Sequence, residues 1–331
     1  MGALKSRGPS IPPGRCQAPP QMLRFRAQIR FRRCLAPARV FAMRSWPARP
    51  PIENCNLQSV IRNSQFAIRN GCKCGWVIFI AMDTPYTLIT IPPSHYCEKA
   101  RWALDRGGLA FDEEPHPPLL HLLPSRKAGG RRTTPVLVTD MGVYPDSTDI
   151  LHFVDSQVAD PPPLFPADPV QRAGVGQLEE LFDEKLGPHT RRLAYFHLLK
   201  DRDLFEGAAL VGVRSGERML FKLFLPMIRG MMRKGMKIDA EGANRSLARI
   251  RDVFYTVNER LASGREYLVG GRFTAADLTF AALAAPVLLP RGYGAPLPTL
   301  DELPDEMLTV IDEMRSTPAG QFGLRMYRDH R

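Results

Sequence analysis

A hydroxyl and a thiol three residues apart open a predicted helix in the segment Ser94-His95-Tyr96-Cys97. Ser94 is in the position of an N-cap, because apolar residues follow it at helical spacing. The first turn of a helix carries positive potential, which stabilises an anion placed there. It also lowers the pKa of an exposed cysteine. The segment therefore favours chemistry on an anion or a thiolate.

A second group of candidates lies about forty residues further along the chain. Thr134-Pro135 precedes two short β-rich runs, 136–139 and 142–144, and the turn between them predicts a hairpin. Asp146 and Ser147 then head another predicted helix. Both residue types are common helix caps. Their side chains could also bind a charged ligand at the helix N-terminus.

The elements that position these residues can be predicted from periodicity and breakers. A β-rich run at 86–91 precedes a helix at 94–106, which ends at two glycines, and a second strand is predicted at 109–114. The hairpin follows, and a helix at 149–158 closes the unit. This order of elements is typical of a thioredoxin-type domain.

These residues resemble the glutathione transferase family. Ser-x-x-x-x-Lys-x-Arg-Trp-Ala-Leu begins at Ser94, Thr-Pro-Val-Leu begins at Thr134, and the (Asp/Glu)-Ser helix start falls at Asp146. They occur in family order at family spacing over about residues 85–157. Phe273-Thr-Ala-Ala-Asp277 resembles the capping-box signature of the family's all-helical domain. Nothing between about 207 and 239 is recognised.

The resemblance implies an α/β thioredoxin-like domain followed by an all-α helical-bundle domain, with a disordered N-terminal extension. We expect a basic extension over 1–82, a glutathione-binding domain over 83–157 and a helical domain over 170–331. The proline-rich segment 158–169 is the expected linker.

In this family glutathione is a co-substrate. The resemblance implies which residues of this chain would contact each part of the tripeptide. Ser94 would donate a hydrogen bond to its sulfur. Thr134, before an expected cis bond to Pro135, would pair its backbone with the cysteinyl part. Asp146 and Ser147 would receive the γ-glutamyl end. Family members often carry Val in place of Thr134 and Glu in place of Asp146.

Two further assignments are more open. The glycine carboxylate of glutathione needs a cation, and Lys127, Arg131 and Arg132 all lie in the right segment, with Arg132 taken as the candidate. His95 replaces a residue that is often proline or small in the family. It could contact glutathione or substrate, or lie at the surface as an ordinary loop histidine.

The expected activity is transfer of alkyl or aryl groups to glutathione, as in detoxification, with an apolar second-substrate site between the domains. One alternative is a glutathione-dependent thiol reductase or peroxidase that uses Cys97. Ser94 replaces the first cysteine of a Cys-x-x-Cys pair, and Cys97 could equally be a small residue packed inside. Another alternative is a non-catalytic binding module with the same fold.

Charge separates the chain into two parts. Residues 1–81 hold 14 Lys or Arg against one acidic residue, whereas the remainder holds 31 basic and 33 acidic residues. The net charge of +11 therefore belongs to the extension, and the body gives no reason to expect nucleic-acid binding. An arginine-rich, acid-poor leader is typical of an organelle transit peptide. The other interpretation is that Met82 is the true start.

Cysteine usage divides the chain at the same place. Five of the six cysteines lie in the first 81 residues, so the body, with Cys97 alone, is typical of a reducing compartment. We expect a cytoplasmic protein, or a mitochondrial one if the extension is a transit peptide. Cys72-Lys-Cys74 lacks zinc-site spacing, and no metal is expected. The expected partners are a small electrophile and a second copy of the chain, without membrane contact.

Amphipathic patterns predict helices at 170–199, 217–237 and 242–262, and Thr274 caps a nearly apolar helix through Leu289. The methionine-rich helix at 217–237 could be core, the wall of a substrate pocket or a peripheral-membrane helix. Pro226 is expected to kink or break it, and Pro286 to bend or shorten the capped helix. The tail from Pro304 is expected to be solvated.

Overall fold

The structure is a computed structural model that describes residues 86–331. The predicted basic extension, 1–82, and its five cysteines lie outside the described residues. The described chain begins with a four-stranded mixed sheet in the order β2-β1-β3-β4. The strands are β1 (Thr87–Thr90), β2 (Asp112–Pro115), β3 (Val136–Thr139) and β4 (Gly142–Tyr144).

The sheet has one parallel and two antiparallel pairings. β1 runs parallel to β2 and antiparallel to β3, with Ile89 opposite Val136, and β3 pairs antiparallel with β4. Three helices belong to this unit: α1 (His95–Arg106), α2 (Leu122–Lys127) and α3 (Ser147–Gln157). The predicted thioredoxin-like α/β unit is confirmed, with α3 beginning two residues earlier than expected.

The remainder is helical, which confirms the second part of the predicted fold class. Its helices are α4 (Pro169–Lys185), α5 (Gly187–Leu198), α6 (Arg202–Ala209), α7 (Ser215–Met236), α8 (Ala240–Leu261), α9 (Ala275–Leu288), α10 (Asp305–Ser316) and α11 (Pro318–His330). In the part of the chain that the structure describes, none of the helices combines the length and apolarity needed to cross a bilayer.

One apolar core joins the two units. It begins under the sheet with Leu88 and Leu137, passes through Trp102 on α1 and reaches Phe280 in the almost completely buried helix α9. Helix α9 starts with the predicted capping box: the Asp277 carboxylate accepts hydrogen bonds from the Thr274 backbone N–H and hydroxyl at 2.8 and 2.7 Å. The box therefore fixes the first turn of the central helix.

Two expectations for the helical part are wrong. The single helix expected at 170–199 is two helices, because the chain turns at Leu186–Gly187 between α4 and α5. Pro226 lies inside α7, which does not break there, and α9 ends at Leu288, two residues after Pro286. The tail from Pro304 is not solvated. It forms α10 and α11, which bury Met307, Val310, Ile311, Met314, Phe322 and Met326 at helical spacing.

Candidate active site

Ser94 caps α1 at the edge of a cavity. Its Oγ accepts a long hydrogen bond from the Cys97 backbone N–H, at 3.4 Å. That bond does not use the hydroxyl proton, which Ser94 can donate to another acceptor, and the Cys97 thiol is one such neighbour. The residue is half-buried and lines the cavity. A ligand atom at Ser94 would therefore meet a hydrogen-bond donor and the positive end of α1 together.

His95 is not the surface histidine that the sequence left open. It is buried, and its Nε2 lies 2.9 Å from the carbonyl oxygen of Gly187 at the start of α5. Burial, and secondly the charge of Arg191, lower the pKa of His95 to about 3. The ring is therefore neutral at physiological pH and donates from Nε2, although it also lines the cavity.

The packing of Tyr96 on Gly187 explains why α5 can approach α1 so closely. A Cβ on Gly187 would overlap the hydroxyl group of Tyr96, so no larger residue fits without a shift. The Tyr96 hydroxyl donates to the backbone oxygen of Asp183 at 2.8 Å. Burial raises the pKa of Tyr96, and Asp183 and Asp146 add to this rise against the opposing charge of Arg191.

Cys97 lies on the inner side of α1. Its side chain is fully buried, and burial raises the pKa of its thiol. Within residues 86–331 the cavity lining includes Ser94, His95 and Tyr96 but not Cys97. The exposed first-turn thiol that a one-cysteine mechanism requires is therefore absent here, and Cys97 occupies the position of a packed core residue.

The loop before β3 brings the second group of candidates to the same cavity. The peptide bond between Thr134 and Pro135 is cis, as expected, with Pro135 buried and Thr134 half-exposed in the cavity lining. Arg132 also lines it. Lys127 and Arg131 are exposed but are not among the described residues that form the wall. Of these three exposed cations, only Arg132 is among the described residues that line the cavity.

Asp146 and Ser147 lie at the N-terminus of α3 and outside the main cavity lining. Asp146 is the exposed N-cap, and its Oδ1 accepts a hydrogen bond from the Thr148 backbone N–H at 2.9 Å, whereas Ser147 is buried. Asp146 is close enough to influence Tyr96 electrostatically, and Tyr96 is part of the wall. The pair therefore belongs to the periphery of the site.

The cavity itself has a volume of about 430 Å³ and is lined by both units. The first unit contributes the polar end around Ser94 and Thr134. The helical part contributes an apolar wall that includes Met231, Met232, Met236, Leu289, Leu297 and Met307. Part of α7 is therefore pocket wall and part is core, since Phe221 and Leu225 are buried beneath it.

Sequence reasoning did not place Arg191 or Tyr293 in the cavity. Arg191 lies on α5, where an arginine in an amphipathic pattern is normally on the solvated side. Tyr293 lies in the loop after α9, and its hydroxyl donates to the carbonyl oxygen of Pro93 at 3.1 Å. Their contacts are with segments about 100 or more residues away, so local pattern gave no signal. Among the described residues, no group of three His, Cys, Asp or Glu side chains could hold a metal ion.

The described residues form a thioredoxin-like domain joined to a helical domain, and both domains line the cavity. Residues 88–162 match the family profile described as glutathione S-transferase, N-terminal domain. No curated protein is significantly similar to the sequence. Over residues 88–162 the resemblance seen in the motifs is thereby confirmed: this segment is an N-terminal domain of the glutathione S-transferase family.

Several solved structures superpose on this chain at low sequence identity. A possible glutathione S-transferase from Rhodopseudomonas palustris superposes with a TM-score of 0.47 at 16% identity, over 74% of this chain and 94% of that one. The β-etherase LigF from Sphingobium sp. strain SYK-6 gives 0.48 at 18%, over 73% and 99%. A glutathione-bound theta class glutathione S-transferase from Xanthomonas axonopodis pv. citri gives 0.42 at 18%, over 73% and 97%.

Proposed function

We propose that the protein is a glutathione transferase, which joins the sulfur of glutathione to an electrophilic carbon of an apolar substrate. One observation carries the proposal: the Ser94 hydroxyl, Thr134 and Arg132 line a cavity to which the helical part adds methionine and leucine side chains. A polar tripeptide and an apolar molecule would thus be neighbours. The proposal includes a homodimer, in keeping with the family.

The chemistry requires glutathione as a thiolate, because the anion is the nucleophile. A free thiol has an unperturbed pKa near 8.5, so roughly a few per cent of it is ionised at neutral pH. A hydrogen bond from Ser94 and the positive end of α1 both favour the anion. The thiolate attacks the carbon, the carbon–sulfur bond forms, and the leaving group departs with the bonding electrons.

The tripeptide would lie along the loop before β3. The backbone N–H and C=O of Thr134 would pair with its cysteinyl part, as an added strand does at a sheet edge. The Arg132 guanidinium would bind the glycine carboxylate. The γ-glutamyl ammonium would meet the Asp146 carboxylate, and its carboxylate the helix start at Ser147. His95 would serve as a neutral wall, since its Nε2 is already bonded to Gly187.

The burial of Cys97 argues for Ser94 as the residue that acts on sulfur. A reductase or peroxidase mechanism would need Cys97 as an accessible thiolate, whereas burial raises the pKa of this thiol. Changes at the two positions therefore distinguish the mechanisms.

We expect Ser94→Ala to lower kcat/KM for glutathione conjugation of 1-chloro-2,4-dinitrobenzene by about 10- to 100-fold, roughly the effect of losing one hydrogen bond to a charged group. The pKa of bound glutathione, followed by thiolate absorbance against pH, should rise by about one unit, since one unit is about 1.4 kcal/mol of differential stabilisation. Ser94→Thr, which keeps a hydroxyl, should restore part of both.

Cys97→Ala is the matched control. Its kcat/KM should change by less than about threefold, well under the effect of losing one hydrogen-bond donor to an anion. Retention of each variant on immobilised glutathione would show that the binding site is intact. Loss of turnover in Cys97→Ala alone would refute the proposed mechanism. Failure of the unaltered protein to bind glutathione would refute the proposed function itself.

A further inference from the structure

The cavity contains two arginines and no carboxylate among the described residues that line it. The arginines are Arg132 and Arg191. Three histidines also line the cavity: His95, His121 and His197. Burial lowers the pKa of each, to about 3 for His95 and about 4 for His121, so they add no charge at neutral pH. The wall thus carries two positive charges without a countercharge.

Arg191 belongs to the stripe of α5 that faces the cavity. It recurs with Ala194, Tyr195 and Leu198 at the i, i+3, i+4 and i+7 spacing of one helix face, and all four line the cavity. The Arg191 guanidinium carbon lies 5.9 Å from the ring centroid of Tyr96. The charge is therefore held beside α1, where the proposed thiolate would lie.

Arg191 has no hydrogen-bond or ion-pair partner within residues 86–331, and its Nε is buried without a partner. Other partly buried arginines here donate to acceptors: Arg192 to Met236, Arg315 to Leu288 and Leu289, and Arg331 to Glu98 and Asp105. Arg101 and Arg229 each keep one buried nitrogen without a partner, but they donate through other nitrogens, to Glu113 and to the carbonyl oxygen of Leu199. An unsatisfied buried polar group costs about 1–3 kcal/mol, and more when charged. Such a group is usually satisfied by a ligand or water.

We propose that Arg191 binds a carboxylate on the second substrate, so that the acceptor class is an electrophile with an apolar body and an acidic end. This inference rests on the proposed function. The two carboxylates of glutathione have their own sites at Arg132 and at the start of α3. The methionine-rich wall from α7 would hold the apolar body, while the Arg191 fork would hold the carboxylate.

The test uses two acceptors that differ only at the acid group: 4-chloro-3,5-dinitrobenzoate and its uncharged methyl ester. In both, sulfur displaces chloride from the same ring carbon. In Arg191→Met, the ratio of kcat/KM for the carboxylate over that for the ester should fall by about 20-fold, within the range for loss of a charged hydrogen bond. Arg132→Met is the matched control: it should lower both values and leave the ratio unchanged.

Binding separates the inference from the proposed function. Calorimetry with 3,5-dinitrobenzoate, which has no leaving group, should show about 20-fold weaker binding to Arg191→Met than to the unaltered protein, both saturated with glutathione. Its methyl ester should show a much smaller difference. Equal binding of the carboxylate to both proteins, or equal loss of turnover with both acceptors, would overturn the inference. Absence of turnover with intact carboxylate selectivity in binding would refute only the transferase proposal.

Discussion

Lys99→Met is expected to lower the free energy of unfolding by about 3–5 kcal/mol, the usual cost of removing one partner from a buried ion pair. The Lys99 side chain is 0% exposed. Its Nζ bonds the Glu179 carboxylate, lies 2.7 Å from Asp183 Oδ2 and 3.2 Å from the Thr148 hydroxyl. Methionine fills similar space but leaves two acidic groups without a cation. Urea unfolding at pH 7.5 measures the change.

The pKa values of the two acids show how one lysine is shared. Burial alone would raise the pKa of Glu179, but the charge and hydrogen bond of Lys99 bring it below its usual value. Burial, and secondly repulsion from Glu179, raise the pKa of Asp183 to about 6 despite Lys99. Lys99 therefore neutralises Glu179, and Asp183 is the weaker partner.

Asp183→Asn is the matched control, because it leaves a one-to-one pair. We expect a loss below about 1 kcal/mol at pH 7.5. The pKa of Asp183 in the folded protein, about 6, is above its unfolded value near 3.8, so its contribution to stability falls as pH rises from about 4 to 6. The asparagine variant should lose this part of the pH dependence. A loss below about 1 kcal/mol in Lys99→Met would contradict the account of the network.

This network also marks what the sequence could and could not predict. Ser94 as the cap of α1, the Thr134–Pro135 hairpin start and the Asp277 capping box depend on neighbouring residues, and they could be located from local pattern. In the sequence, Lys99 could be identified only as the lysine of the family motif that begins at Ser94. Its burial depends on acids of α4 that lie 80 and 84 residues away in the chain, and local periodicity does not register such a partner.

The same distinction holds for the cavity. Its polar end lies on two segments with recognisable motifs, whereas Arg191 and Tyr293 come from a helix and a loop with no family pattern. The exposure of Cys97 could not be decided from spacing, because position within α1 does not say which face of that helix the rest of the chain covers. The tail was misjudged for a related reason: its mixed charge concealed the apolar stripe of Met307, Ile311 and Met314.

Trp102→Ala is expected to cost about 3–5 kcal/mol of stability, as for other large aromatic deletions in a core. The Trp102 ring is fully buried between the two units, with centroids 4.6 Å from Tyr327 and 5.7 Å from Phe273. Its Nε1–H donates to the carbonyl oxygen of His330 at 2.9 Å. Alanine would leave a cavity and an unpaired carbonyl between α1 and the C-terminal helix. Chemical denaturation measures the loss.

Phe254→Ala on α8 is the matched comparison, because Phe254 is also fully buried but lies within the helical part alone. Both variants should lose similar stability, but hydrogen exchange should separate them. In Trp102→Ala the amides of α1 and α11 should exchange faster together, because the indole joins these two helices across the units. In Phe254→Ala the acceleration should fall on α8 and α9. Faster exchange confined to α11 in Trp102→Ala would show that α1 is held by the Lys99 network and not by this aromatic contact.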